Sequence, residues 1–188
     1  MRQTSLSEQN SEDKEYWSNL GQFVELFSFI ELQLFKTLTR FTGVSQGVAR
    51  AVFSGVHIEV ACSFLRRTMT IEWTNLETEK LFEILAQLKI ITNVRNDIIH
   101  FGSSFDETGT RVITNKEKAL FPKDIRKIRI GRNIPDSILA DLTAIMLELH
   151  AWQMFPIKDL ERNNPNGIYA SREPRTWNYK PDAPPPNH

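Results

Sequence analysis

The first part of the chain alternates apolar and polar residues with the period of a helix. One apolar stripe predicts a long helix over about 13–42, and Gly43 directly after it is typical of a helix end. The inward face predicted for this helix contains Trp17, Leu20, Val24, Phe27, Leu34, Phe35 and Leu38.

Two shorter helices are predicted next. Residues 44–53 have the pattern of a short helix that the Ser54-Gly55 pair interrupts. A third helix is predicted over about 56–72, and we expect His57 on its inward face to be a hydrogen-bonded core histidine rather than a ligand. The other residues assigned to that face are Val60, Ala61, Phe64 and Thr68.

A second long helix is predicted over about 76–101, with Asn75 or Thr78 as its cap and Gly102 at its end. Its inward residues are expected to be Leu81, Ile84, Leu85, Leu88, Ile91, Ile98 and Ile99. A last helix is predicted over about 135–154, with Pro135 at its first position. Its inward residues are expected to be Ile138, Leu142, Ile145, Met146, Leu149 and Trp152.

Residues 103–114 combine turn residues with β-branched residues and predict a small β-hairpin or a loop. We therefore expect an all-α fold, a bundle of four to five helices with this hairpin or loop inserted before the last helix. The helical domain is expected over 13–155, after a flexible polar N-terminus at 1–12.

Residues 156–188 are rich in proline and predict an extended tail. Disordered tails are usually poor in aromatic residues, whereas this one contains Tyr169, Trp177 and Tyr179 beside Ile168. We therefore expect the tail to pack on the helical domain or on a protein partner.

Composition narrows the setting of the protein. Lys and Arg number 23 and Asp and Glu number 23, so bulk charge neither favours nor excludes a nucleic-acid partner. The single cysteine, Cys62, excludes an internal disulfide and is expected to be a packing residue in a reducing compartment. No apolar run approaches ~20 residues, and the polar N-terminus lacks a signal-peptide core, so we expect a cytoplasmic protein without a membrane span.

The second long helix ends in a group of residues suited to phosphodiester chemistry. Arg95 is permanently cationic and can hold phosphate oxygens, while His100 can move protons near neutral pH. Asn96 lies one helical turn before His100, so these two side chains are neighbours. Arg95 lies about 140° from His100 on an ideal helix. The two converge only if the helix end tightens or if a second copy of the motif faces the first.

Two charged residues fall on predicted apolar stripes, Glu31 on the first helix and Arg95 on the fourth. Removing one partner of a buried ion pair costs about 3–5 kcal/mol, so the two are expected to pair with each other. The pair can be purely structural, or Glu31 can aim Arg95 at a substrate phosphate.

Other residues could contribute to RNA binding. A basic cluster can attract a nucleic-acid backbone, although an ordinary solvated surface is slightly favoured. This cluster comprises Lys123, Arg126, Lys127, Arg129 and Arg132. Phe41, Phe101 and Phe105 can stack on bases, but packing in the core or hairpin is the favoured interpretation of each ring.

The combination of these features resembles the HEPN superfamily (higher eukaryotes and prokaryotes nucleotide-binding domains). A long first helix carries the acid Glu31, a later helix ends in Arg95-Asn96-Asp97-Ile98-Ile99-His100-Phe101-Gly102, and a β-like excursion and a final helix follow. The motif of that family is an arginine, four to six residues and a histidine, often with a polar residue after the arginine. Arg95, Asn96 and His100 match it, and the resemblance covers about residues 13–155.

The resemblance implies a helical bundle that usually dimerises, with two copies of the motif in a shared cleft. Many members are metal-independent endoribonucleases of toxin–antitoxin, abortive-infection or CRISPR systems. The function expected here is therefore RNA cleavage of a toxin or phage-defence type, with no metal and no cofactor. His100 would act as general acid or base, Arg95 would stabilise the phosphorane, Asn96 would orient His100 or a phosphate oxygen, and Glu31 would hold Arg95.

Two alternatives remain open. Some family members have lost activity, so the chain can instead be a non-catalytic HEPN-like dimer that binds RNA or a protein, with an antitoxin or complex subunit as a partner of the tail. The other alternative is a structural bundle in which Arg95 and His100 only end and pin a helix.

Overall fold

The structure is a computed structural model. It describes residues 6–72, 76–116, 119–121, 125, 127–131, 134–154 and 176–181, with backbone alone at 6–12, 71–72, 76–78 and 129–131. Within these ranges the fold is mostly helical and confirms the expected class. Its helices are α1 (Leu6–Thr42), α2 (Gln46–Phe53), α3 (Ile58–Glu72), α4 (Leu76–Phe101) and α5 (Asp136–Met154).

The helix ends follow local chemistry. Gly43 and Gly102 have positive φ angles of 63° and 65°, which favour glycine, and they follow α1 and α4 as predicted. Ser45 caps α2, and its side chain accepts a hydrogen bond from the backbone N–H of Val48 at 3.4 Å. Thr78 lies inside α4 and is not its cap, while Asn75 lies outside the described residues.

Helix α1 begins at Leu6 rather than near residue 13, so most of the segment that was predicted as a flexible N-terminus has helical backbone. The added turns are rich in Ser, Glu, Gln and Asn and have no apolar stripe, which is why periodicity could not detect them. The inward face was also misplaced in part, since Trp17 and Val24 are exposed. The buried stripe instead advances by three, four or seven residues through Tyr16, Phe23, Phe27, Ile30, Leu34 and Leu38.

The inward face predicted for α3 was wrong by one position. His57, just before the helix, and Val60 are exposed, and the buried side is formed by Ile58, Ala61, Cys62, Leu65 and Met69. The predicted face included His57 and Thr68, because both fit the helical spacing. Burial of Ile58, Leu65 and Met69 removes more apolar surface from water, and the helix therefore turns this side inward. On α4 the predicted inward residues are buried except Ile99, and on α5 they are buried except the half-buried Met146.

The predicted hairpin is present, and it belongs to a larger sheet. Strands β1 (Ser104–Phe105), β2 (Arg111–Thr114) and β3 (Lys127–Gly131) form an antiparallel sheet in the order β1-β2-β3. Asp106 shapes the turn, because its Oδ1 accepts backbone hydrogen bonds from Thr108 and Thr110 at 3.0 Å each. Strand β3 was missed, since its segment was interpreted through its basic residues alone.

The chain divides into two compact units. The motif unit comprises Met1–Glu25, Ile90–Ala140 and Asn178–His188, and contains the end of α4 and the sheet. The helical unit comprises Leu26–Lys89 and Asp141–Trp177, and contains α2, α3 and most of α5. The single domain predicted over 13–155 thus spans both units.

A buried polar pair ties α4 to α5 inside the helical unit. Gln87 Nε2 donates to Asp141 Oδ2 at 2.9 Å, and the two residues are 4% and 1% exposed. Nearby on α5, Gln153 Nε2 donates to the Gln33 backbone carbonyl at 3.1 Å, so α1 and α5 are also joined. These bonds satisfy groups that would be costly to bury alone.

None of the helices in the described ranges is long and apolar enough to cross a membrane. In the predicted tail, Trp177 and Tyr179 are half-buried, whereas Ile168 and Tyr169 lie outside the described residues. The packing of the tail stays a prediction.

Candidate functional site

The motif predicted from the sequence lies at the last turns of α4, in the motif unit. The helix continues through Phe101, and the Gly102 backbone N–H donates to the Ile98 carbonyl at 3.0 Å. Arg95 and Asn96 are half-buried, and His100 is exposed. All three residues therefore reach the surface, as groups that act on a polymer must.

Arg95 and Asn96 are in direct contact. Arg95 Nη1 donates to Asn96 Oδ1 at 3.1 Å. A guanidinium has five N–H donors, so this bond orients Arg95 and leaves donors for an anion. The sequence predicted that Asn96 would orient His100 or a phosphate oxygen, whereas in the structure its amide oxygen holds Arg95.

The regular geometry of α4 separates the two groups that the chemistry needs together. Because the segment stays α-helical through Phe101, Arg95 and His100 keep an angular separation of about 140°. The helix end therefore does not tighten, which was one of the two predicted ways to bring Arg95 and His100 together. A second copy of the motif is the route that remains.

The deeply buried charged residue of the motif is Asp97 rather than Arg95. Asp97 is 3% exposed, and it continues the buried stripe formed by Ile91, Val94 and Ile98. Angular position alone placed Arg95 near the centre of this stripe, and that interpretation was wrong. The signal that could have found Asp97 is its spacing of three residues from the apolar Val94.

Glu31 does not have the environment that was predicted for it. Its side chain is exposed, so the burial argument for an ion pair with Arg95 fails. Glu31 belongs to the helical unit and Arg95 to the motif unit, and the ion pair itself stays a prediction. Within the described residues of its own unit, Glu31 makes no hydrogen bond or ion pair.

Glu31 lines a cavity of about 420 Å³ in the helical unit. His57 lines the same cavity and is exposed, so its expected role as a core histidine was wrong. The apolar walls come from α1, from the end of α2, from the connection between α2 and α3 and from α3. They comprise Leu34, Phe35, Leu38, Phe53, Val56, Ile58 and Ala61.

Cys62 is a packing residue, as expected. Burial raises the pKa of its thiol to about 12, so the reactive thiolate is scarce at neutral pH.

The predicted basic cluster is described only in part. Lys127 is exposed at the start of β3, and its Nζ contacts Asp106 Oδ2 at 3.2 Å. Arg129 pairs through its backbone with Val112, while Lys123, Arg126 and Arg132 lie outside the described residues. RNA binding by this cluster therefore stays a prediction.

Hydrogen bonds fix the charge of Asp106 in the hairpin turn. The Thr108 hydroxyl donates to its Oδ1 at 2.6 Å. This bond, together with the Thr110 backbone N–H, Lys127 and the Thr108 backbone N–H, holds the pKa of the Asp106 carboxyl well below its usual range.

An arginine that the sequence did not single out organises the aromatic residues of the motif unit. The Arg111 guanidinium carbon lies 4.1 Å from the ring centroid of Tyr16 and 4.9 Å from that of Phe105. Arg111 also pairs with Asp13 and donates to Ser103 Oγ at 3.2 Å. Ser103 and Phe105 belong to the same hairpin as Arg111, whereas Asp13 and Tyr16 lie on α1, far away in the sequence, so no local pattern indicated the cluster.

The three rings proposed for base stacking have different environments. Phe41 packs on Trp152 with centroids 6.0 Å apart, and Phe101 is half-buried beside His100. Phe105 is 65% exposed. Among these three, Phe105 is the ring that offers a surface to a partner.

The described residues contain no group of three or more His, Cys, Asp or Glu side chains that could hold a metal ion. Comparison with protein-family models, with curated proteins and with solved structures gave no match for this chain. The assignment of function therefore depends on the residues themselves.

Proposed function

We propose that this chain is a HEPN-like, metal-independent endoribonuclease that acts as a homodimer. The observation that carries the proposal is the surface cluster at the end of α4. There the Arg95 guanidinium is held by Asn96 at 3.1 Å, and an exposed His100 follows on the same helix. A cation oriented for phosphate and an imidazole that can accept and donate a proton are the minimum for phosphodiester cleavage without a metal.

The reaction requires two proton transfers and charge stabilisation. His100 removes the proton of the ribose 2′-hydroxyl, and the 2′-oxygen attacks phosphorus. Arg95 stabilises the negative charge of the phosphorane. The bond from phosphorus to the 5′-oxygen then breaks, and the same His100, which now carries the proton taken from the 2′-hydroxyl, donates it to the leaving 5′-oxygen. The products are a 2′,3′-cyclic phosphate and a 5′-hydroxyl.

The geometry of one helix supports the proposal of a dimer. Arg95 and His100 lie on different sides of α4, so one copy cannot place both on one phosphate. A two-fold axis beside the helix end would set Arg95 of one protomer against His100 of the other. Ile99 lies next to His100 and is 52% exposed, which provides apolar surface for such a contact.

A non-catalytic, RNA-binding or protein-binding dimer is the second candidate. The exposed rings of Trp17 and Phe105 favour it, because they offer contact surface without any need for His100. In either case we propose a toxin or phage-defence setting, with an antitoxin or complex subunit that contacts the C-terminal tail.

The test is incubation of the purified protein with total RNA in EDTA, beside His100→Ala. His150→Ala is the matched control, because His150 is an exposed histidine of α5 outside the motif. Wild type and His150→Ala should cut RNA and leave cyclic-phosphate ends, and His100→Ala should not. A folded wild type that cuts no RNA, or that needs a divalent metal, leaves the binding dimer as the better description.

A further inference from the structure

Phe105 has one covered side and one open side. It pairs with Arg111 across β1 and β2, and the guanidinium carbon lies over its ring, 4.9 Å from the centroid. Residues directly opposite in an antiparallel pair have neighbouring side chains, so the register itself sets this contact. The ring nevertheless remains 65% exposed, which leaves its outer side available to a flat ligand.

The support under the ring is fixed from several directions. The Arg111 side chain is 11% exposed and is held by Asp13, by Ser103 Oγ at 3.2 Å and by the Tyr16 ring at 4.1 Å. An aromatic ring on a fixed support has less freedom to lose when a partner binds. Trp17, 62% exposed, touches Tyr16 edge-on at 5.2 Å and extends the aromatic surface beyond this support.

We propose that Phe105 is a stacking platform for an unpaired base of single-stranded RNA, close to the cleavage site. This inference rests on the proposed function and adds a substrate class to it, RNA whose bases are not paired. Every base has a π face, so an exposed ring binds single strands with little sequence preference.

The position along the chain places this platform beside the motif. Phe105 follows His100 by five residues, and an extended chain of that length spans at most about 18 Å. The turn at Gly102, with a φ angle of 65°, shortens the path further. The stacked base therefore lies within a few nucleotides of the phosphate that His100 and Arg95 would act on.

The experiment measures RNA affinity in a His100→Ala background, so that no cleavage occurs. Fluorescence anisotropy follows the binding of a short, labelled single-stranded RNA in EDTA. Phe105→Leu keeps an apolar side chain over Arg111 but removes the ring, and should weaken the Kd about 5- to 150-fold. Phe105→Trp should restore binding. Phe121→Leu, which alters another exposed phenylalanine of the motif unit, should bind like the parent.

Abasic substitution in the RNA identifies the stacked base. At one position near the cleavage site, loss of the base should weaken binding to the parent and have little effect on binding to Phe105→Leu. Equal affinity of the parent and Phe105→Leu would overturn the platform while the proposed function stands. An unchanged RNA affinity with weaker self-association would also overturn it, since the ring would then be a protein contact. A folded parent that binds no RNA would refute the proposed function and the platform together.

Discussion

The motif unit and the helical unit use polar side chains in opposite ways. In the motif unit, Arg95 and His100 stand at the surface. In the helical unit, Gln87 and Asp141 are buried and bonded to each other at 2.9 Å. A buried, mutually satisfied pair stabilises the packing of helices, whereas surface groups with remaining donors can serve a ligand. Whether a polar side chain is structural or serves a ligand thus depends more on its burial and its hydrogen-bond partners than on its residue type.

Asp97 and Glu31 refine this comparison, because each has the environment expected for the other unit. Asp97 is a buried acid within the proposed catalytic motif, and Glu31 is an exposed acid at a cavity of the helical unit. A polar residue in the motif is therefore not automatically functional, and an acid on a helical face is not automatically buried.

Loss of the surface groups should remove activity without loss of stability. His100→Ala should lower the rate of RNA cleavage about 10²- to 10⁴-fold, since proton transfer is lost. Arg95→Lys keeps the charge but not the planar fork, and should also lose most activity. Both variants should have the urea midpoint of wild type. A variant that loses activity only in proportion to its loss of stability would argue for a structural role.

Loss of the buried pair should have the reverse effect. Gln87→Met removes the amide that donates to Asp141 and leaves a buried carboxylate with one bond fewer, which should cost about 1.5–3 kcal/mol in urea denaturation. Gln22→Met alters an exposed glutamine of α1 and should cost little. The rate of RNA cleavage per folded molecule should be the same for Gln87→Met and wild type. A lower rate per folded molecule would contradict a purely structural role of the buried pair.

The buried thiol of the helical unit should be chemically silent. Burial raises the pKa of Cys62 to about 12, so the native protein should react slowly with a thiol reagent at neutral pH. Addition of denaturing urea should bring the reaction to the rate of an ordinary cysteine. Fast labelling of the native protein would show that this part of the helical unit opens readily.

The smallest effect concerns the hairpin of the motif unit. Hydrogen bonds lower the pKa of Asp106 in the folded state, so its contribution to stability is present above the unfolded pKa of about 3.9 and is lost as the pH falls further. Unfolding free energies of wild type and Asp106→Asn should therefore converge below about pH 4. A difference that stays constant from neutral pH to acid would contradict the role of the carboxylate.

The spacing of apolar residues predicted where most helices lie, but not always which side of a helix is buried. The bounds of α4 and the buried face of α5 followed from apolar spacing and from Gly102. The α3 face was misplaced because His57 and Thr68 fit the spacing as well as the core residues do. Strand β3 alternates Ile128 and Ile130 with Lys127 and Arg129, a strand pattern that the basic residues obscured. The early start of α1 has no apolar stripe to reveal it.

The candidate site was predictable only where it is local in the sequence. Arg95, Asn96 and His100 lie within six consecutive residues, so their proximity follows from the helix alone. The contact of Arg111 with Phe105 lies within the hairpin, whereas its contact with Tyr16 joins residues distant in the sequence, which only the folded chain brings together. The environment of Glu31 likewise depends on which side of α1 the core covers, which was uncertain along so long a helix.

The central claim is that Arg95 of one protomer acts with His100 of the other on RNA. Its most direct test mixes two inactive variants, Arg95→Lys and His100→Ala, and measures RNA cleavage in EDTA. At equal concentrations about half of the dimers are mixed, and each has one intact site of two, so activity should recover to about a quarter of wild type. Activity no greater than the sum of the separate variants would contradict the shared site.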